Sequence, residues 1–221
     1  DSWLDEWNRV LRLNGVTVDG LSNKVFLSMY ARHAKRSFFT NEWVRDTLYN
    51  LEAFYDDVDT LLDLSAARLT IMFFASDIDA STTSLSWALS GADFFATDCL
   101  NTLYFPPELV KDVSDNLTCP YYMLSEEESL KDKLLADALL YWISEDKFNN
   151  HLYMMRRDFS YLSESDWAAA LFNFFHSIEN NENLYHSQWL KGAYELNGWN
   201  NISQAKIDLG AKLRQLTSSD K

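Results

Sequence analysis

The chain has few of the residues that make tight turns: its 221 residues include six glycines and three prolines. Sandwiches and barrels of β-strands need many such turns, so this scarcity disfavours them and favours long helices. Hydrophobic residues make up 47% of the chain, which is enough for one substantial core. We therefore expect an all-α fold, a helical bundle that forms a single domain over residues 1–221.

Cysteines and long apolar runs are also scarce. Cys99 and Cys119 are the only cysteines, too few for a disulfide framework and not in CxxC spacing. Two reduced thiols are typical of a cytoplasmic protein. No apolar run reaches the roughly 18 residues that span a bilayer, and the acidic start of the chain does not resemble a signal peptide. The sequence therefore predicts a cytoplasmic protein with no membrane partner.

Basic residues are outnumbered, since 19 lysines and arginines stand against 33 acids and the net charge is −14. Binding to nucleic acid phosphates requires a basic face, so we expect no direct nucleic acid binding. The acids are scattered along the chain, which is typical of a charge that keeps a protein dispersed. An acidic surface that engages a basic protein partner, or that mimics nucleic acid, stays open as an alternative.

Apolar residues recur at spacings of three and four over most of the chain, as on the buried face of a helix. The predicted helices cover about residues 3–13, 22–30, 41–55, 60–76, 82–103, 126–143, 146–160, 164–180 and 200–216, with one more beginning at Glu108. Asp19 or Ser22 is expected to cap the second helix, and Ser163 the helix at 164–180. Residues 114–124 are predicted as a loop, followed by a capping box between Ser125 and Glu128.

Residues 69–79, LTIMFFASDID, join an apolar run to two acids. The segment resembles the signature helix of the HD superfamily of metal-dependent phosphohydrolases, L-x-x-W-F-H-D-x-x-Y-D, whose His-Asp pair binds metal. Phe74 and Ala75 occupy the positions of that pair, and neither side chain can ligate a metal ion. Asp79 matches the acid that closes the motif, and Asp77 lies two residues before it.

The resemblance extends toward the N-terminus. Residues 30–48 are similar to the family segment Y-x-E-P-x-R-x-Y-H-x-x-x-H, which supplies histidines to the site. Depending on register, Phe38 or Phe39 stands at the first of these histidines, and Glu42 or Trp43 at the second.

The resemblance also continues toward the C-terminus. LADAL at 135–139 resembles the family segment L-D-A-D-L, with Ala136 and Ala138 in place of the aspartates and Asp137 between them. Residues 156–175 and 184–187 resemble segments of the family that shape the fold. The resemblance therefore implies a helical HD-type bundle whose metal site has been replaced, with no metal and no other cofactor.

Candidate ligand-binding residues fall into a basic cluster, an aspartate pair and a Tyr-His pair: Arg32, His33, Lys35 and Arg36; Asp77 and Asp79; Tyr185 and His186. The basic cluster suits a phosphate or carboxylate, or else complements the dipole at a helix C-terminus. The aspartate pair is a remnant of a site, or else ends one helix and caps the next. The Tyr-His pair lines a cavity mouth or packs the last helices. His151 and His176 are expected to be structural.

The sequence favours a catalytically inactive HD-type protein that acts by binding a protein partner or a nucleotide-like ligand; no residue is assigned as catalytic. One alternative is a phosphohydrolase whose altered metal site uses Asp77, Asp79, Asp137 or Glu42. Another is an acidic inhibitor that binds a basic partner or mimics nucleic acid. The sequence gives no oligomeric state.

Overall fold

The structure, a computed structural model, describes residues 2–118 and 129–219, and all regular elements within these ranges are helical. The predicted all-α fold class is confirmed. The α-helices are α1 (Leu4–Leu13), α2 (Gly20–His33), α3 (Asn41–Asp56), α4 (Ser65–Phe73), α5 (Leu85–Leu89), α6 (Ala92–Thr102), α7 (Pro107–Thr118), α8 (Leu130–Leu140), α9 (Phe148–Asp158), α10 (Glu164–Glu179) and α11 (Ala193–Ser218). A short 3-10 helix, Tyr141–Ser144, joins α8 to α9. In this part of the chain no helix has both the length and the apolar character needed to cross a bilayer.

Side-chain caps fix several helix starts where the sequence predicts them. The Asp19 carboxylate accepts hydrogen bonds from the amides of Leu21 and Ser22, and the Ser22 hydroxyl accepts one from the Asp19 amide. This reciprocal capping box satisfies amides that have no partner within α2. At α10, the Ser163 hydroxyl accepts a hydrogen bond from the amide of Asp166.

α4 is the central helix of the fold. It packs against α1, α3, α6, α7 and α8, so residues 67–73, including Arg68 and Thr70, are all buried. The prediction of a buried helix in this region is confirmed, but its length of 60–76 is wrong. Asp63 accepts a hydrogen bond from the amide of Ser65 at the start, and the backbone leaves the helix at Phe74 and turns left-handed at Ala75, whose φ is 56°.

The predicted helix 82–103 is two helices. α5 and α6 are separated at Ser90 and Gly91, where the chain passes close to the turn that carries Asp79. A Cβ at Gly91 would lie 2.6 Å from the amide nitrogen of Asp79, so the close approach requires glycine. The amide of Asp79 donates to the carbonyl of Ala88, which fixes the same contact.

The loop predicted at 114–124 is wrong for residues 114–118, which form the last turns of α7. Val113 and Leu117 are buried where α7 packs on α4, and Asn116 donates a hydrogen bond to the Thr70 hydroxyl. The rest of that loop, Cys119 and the capping box of Ser125 with Glu128 lie outside the described residues. α8 is capped by Ser129 instead.

The last helix begins earlier than predicted. α11 starts at Ala193 after Gly192, whose φ of 86° lets the chain turn sharply into the helix. α11 packs along α10 and on the 3-10 helix, while α3 packs along α8. These pairings bring α3, the 3-10 helix and α9 together around one cleft.

Candidate functional site

The cleft between α3, the 3-10 helix and α9 has a volume of about 360 Å³, within the range of small-molecule sites. The loop before α3 contributes Ser37, Phe38 and Thr40, and α8 contributes Ala138. A cleft built from five segments in this way has walls held by the core, because α3 and α8 pack along each other.

Aromatic rings form one wall of the cleft. The Phe38 ring packs edge-on against Trp142 and His151, with centroids 5.5 and 5.4 Å apart. The Trp43 ring stacks on Phe74 at 5.6 Å, and Phe74 lies behind the lining. Such rings bind planar groups by stacking and cations through their π faces.

Carboxylates dominate the charged residues of the cleft. Glu42, Asp46 and Glu145 line it, against the single ammonium of Lys147. Arg45 contacts the Asp46 carboxylate at 3.0 Å and that of Glu42 at 3.8 Å, which offsets part of this charge. The cleft as a whole therefore favours a cationic or neutral ligand over an anionic one.

His151 lies at the inner end of the cleft, and its Nε2 is buried without a hydrogen bond. The nearest carboxylate oxygen, Oε1 of Glu145, is 3.3 Å away. The nitrogen and this carboxylate are therefore a polar contact among the aromatic rings of the cleft.

Several positions that the HD resemblance equates with metal-ligating or phosphate-facing residues meet at this cleft. Phe38, Glu42, Trp43 and Ala138 line it, and the Phe74 ring contacts both Phe39 and Trp43. Ala75 and Ala136 are buried and are not among the lining residues. Over residues 2–118 and 129–219, no group of three or more His, Cys, Asp or Glu side chains is placed to hold a metal ion.

The basic cluster lies elsewhere, around the end of α4. Arg36 donates to the carbonyls of Ala75 and Ser76 at 3.0 and 3.3 Å. Arg32 lies over the Phe95 ring and 3.5 Å from the Asp77 carboxylate, and Lys35 is exposed. The guanidinium groups thus hold the backbone and the acid that follow α4.

His33, the fourth residue of the cluster, is buried. Its Nδ1 and Nε2 each lie 2.8 Å from a carbonyl oxygen, those of Phe39 and Met72. Burial lowers the pKa of His33, and these two carbonyl contacts offset only part of that effect. A neutral ring donates from one nitrogen only, so His33 ties α2 either to the loop before α3 or to α4.

The aspartate pair does not share a site. Asp77 is exposed and pairs with Arg32, whereas the Asp79 carboxylate accepts hydrogen bonds from the hydroxyl and amide of Ser81 at 2.6 and 2.9 Å. These hydrogen bonds lower the pKa of Asp79. Asp79 stabilises the turn that precedes α5, and Ser84 occupies the N-cap position of that helix.

The Tyr-His pair meets Asp137. The buried Asp137 carboxylate accepts hydrogen bonds from the amides of His186 and Ser187 at 2.9 and 2.6 Å. Burial raises the pKa of Asp137 to about 7. Asp137 and His186 line a small cavity of about 140 Å³. The Tyr185 hydroxyl is buried and donates to the carbonyl of Leu140, and burial raises its pKa.

Asp158, at the end of α9, shapes the cleft and is missed by the sequence argument. Its carboxylate accepts hydrogen bonds from the amides of Ser37, Phe38 and Phe39 at 2.6, 2.9 and 3.2 Å. This contact fixes the loop that places Phe38 in the lining. No periodic pattern links positions that lie about 120 residues apart, so the sequence carries no signal for it.

The four carboxylates considered for an altered metal site have different partners. Asp77 contacts Arg32, Asp79 contacts Ser81, Asp137 contacts the amides of 186–187, and Glu42 contacts Arg45.

Comparison with protein-family models, curated proteins and solved structures finds no match for the chain.

Proposed function

We propose that this protein is a catalytically inactive relative of the HD phosphohydrolases that acts by binding, with the cleft between α3 and α9 as its binding site. The observation that carries the proposal is the aromatic wall. Phe38 and Trp43, at or beside positions that bind metal or phosphate in that family, line the cleft, and Trp43 stacks on Phe74 behind the lining. Stacking surfaces with a few polar groups are the usual composition of ligand sites.

The arrangement of acids also supports binding over hydrolysis. A metal-dependent hydrolase needs several His and Asp ligands that converge from different helices, so that the ion can acidify a bound water. Here Asp77, Asp79 and Asp137 are each engaged by a different partner. Of the four carboxylates considered for an altered metal site, only Glu42 lines the cleft.

The proposal includes a protein or small-molecule partner in the cytoplasm and no direct contact with nucleic acid. The net charge of −14 opposes binding to phosphates. Cys99 is a buried free thiol, and burial raises its pKa to about 11, so it serves the core and not thiol chemistry.

The first experiment is a thermal shift titration of the purified protein with Mn²⁺, Mg²⁺, Fe²⁺ and Zn²⁺, together with a phosphate-release assay on nucleotides. We expect no saturable shift and no phosphate release. A shift that saturates and disappears in Asp79→Ala would overturn the proposal and support a phosphohydrolase with an altered metal site.

The binding half of the proposal is tested by NMR titration of the tryptophan indole N–H signals with small aromatic and cationic fragments. Ligands in the cleft should shift the signals of Trp43 and Trp142. The exposed Trp87 on α5, assigned through Trp87→Phe, is the matched control because it is not part of the lining. Shifts confined to Trp87 would contradict the cleft as the site.

A further inference from the structure

We infer that the cleft takes the side chain of an arginine presented by a protein partner. This inference rests on the proposed function, since it names the ligand of that site. It follows from the charge of the cleft, the aromatic rings in its lining and the carboxylate oxygens of Glu145.

The charge of the lining selects a cation. Glu42, Asp46 and Glu145 outnumber Lys147, and the side chains of Glu42 and Asp46 are 75% and 58% exposed. Their ion pairs with Arg45 lie on the exposed surface of α3, where solvent weakens such pairs. An incoming guanidinium can therefore share or replace Arg45 as their partner.

The rings select a planar cation. Trp43 and Tyr141, both partly exposed, line the cleft beside these acids, and a guanidinium stacks on such faces through cation–π attraction. An ammonium gains the same attraction but has no planar face to stack. The aromatic wall thus favours arginine over lysine.

Glu145 supplies the directional contact. Its carboxylate lies 3.3 Å from Nε2 of His151, yet that nitrogen makes no hydrogen bond. The carboxylate oxygens can accept two parallel N–H groups from one guanidinium, the arrangement in which arginine binds carboxylates most strongly. Tyr141 begins the 3-10 helix that Glu145 caps, so a partly exposed ring and this carboxylate lie on the same short segment of the cleft.

The charge of the whole chain acts in the same direction. With a net charge of −14, the protein repels nucleotides and attracts cationic surfaces before contact. The partner that fits is therefore a protein with an exposed arginine on a basic surface.

The probe is the peptide acetyl-Gly-Arg-Gly-amide, titrated into ¹⁵N-labelled protein while the indole signals of Trp43 and Trp142 are followed. The matched ligand is the same peptide with citrulline, which has the shape of arginine without the charge. We expect the arginine peptide to bind at least about tenfold more tightly, and binding to weaken as NaCl is added.

The variant Glu145→Gln should weaken binding of the arginine peptide about threefold to tenfold, because one charged acceptor is lost. Glu182→Gln, an exposed acid on the loop before α11, is the control and should bind like wild type. Equal binding of the two peptides, or equal effects of the two variants, would overturn the inference.

The same titration with AMP separates this inference from the proposed function. If AMP shifts Trp43 and Trp142 and the arginine peptide does not, the cleft binds ligands but the assignment to arginine is wrong. If neither ligand binds and metal-dependent phosphate release is found, the proposed function itself is wrong.

Discussion

Asp137 shows how burial changes what one residue does. The resemblance places it between two lost aspartates, yet its carboxylate is fully buried and receives the amides of His186 and Ser187. Burial raises its pKa because the ionised form loses its hydration, and the two amide hydrogen bonds offset only part of this cost. Asp137 therefore links α8 to the segment before α11 and makes that link dependent on pH.

Stability should fall as pH rises toward neutrality. The pKa of Asp137 is about 7 in the folded protein against 3.8 for a free carboxyl, so the folded state holds the proton more tightly. The stabilisation is complete below pH 3.8 and is lost as pH rises through about 7. In urea unfolding across this window, wild type should lose on the order of 4 kcal/mol relative to Asp137→Asn. A constant difference between the two proteins would contradict this.

Phe74 and Ala75 show what the sequence predicts about single residues. Their apolar side chains predict that the positions belong to the core, and both are buried. The resemblance places Phe38 or Phe39, and Glu42 or Trp43, at the positions of histidines, but it does not predict the edge-on contacts of Phe38 or the stacking of Trp43 on Phe74. Those contacts depend on the loop that Asp158 holds, and that residue comes from the far end of α9.

The sequence is most informative about the positions of the helices. Periodicity places most of the helices, and capping residues such as Asp19 and Ser163 fix their starts. The predicted helix boundaries are wrong where tertiary contacts determine the structure. α11 includes residues 193–199 because Gly198 allows close packing on Leu184 and Ser144, a contact that no local pattern encodes.

The junction between α5 and α6 gives a prediction at the same scale. Gly91→Ala should destabilise the protein by about 1–3 kcal/mol, because its Cβ would lie 2.6 Å from the Asp79 amide nitrogen, a backbone atom that cannot move freely. The measurement is the free energy of unfolding in urea.

Gly210→Ala in α11 is the control for that experiment. Its Cβ meets only the end of the Arg214 side chain at 3.6 Å, so the change should stabilise α11 by about 0.5–1 kcal/mol. Equal effects of the two substitutions would mean that the close approach at Gly91 does not constrain the fold.

At the scale of the whole molecule, the charge of −14 is spread over a bundle with one connected core. Such self-repulsion opposes the compact state, and salt screens it. Ion pairs act in the opposite sense, as between Arg68 and Glu52 at 2.6 Å, but they are local.

Raising NaCl from about 0.05 M to about 0.5 M should therefore raise the melting temperature by roughly 2–4 °C, which corresponds to about 1 kcal/mol. Differential scanning calorimetry measures this directly. A lower melting temperature in high salt would show that ion pairs such as Arg68–Glu52 outweigh the repulsion.

The left-handed turn at Ala75 limits which substitutions positions 74 and 75 tolerate. The residue is fully buried with a φ of 56°, directly after Phe74, whose ring is enclosed by Phe39 and Trp43. A histidine at 74 would leave a cavity between Phe39 and Trp43, and an aspartate at 75 would carry an unpaired charge into the core. Either substitution alone is therefore expected to destabilise the fold.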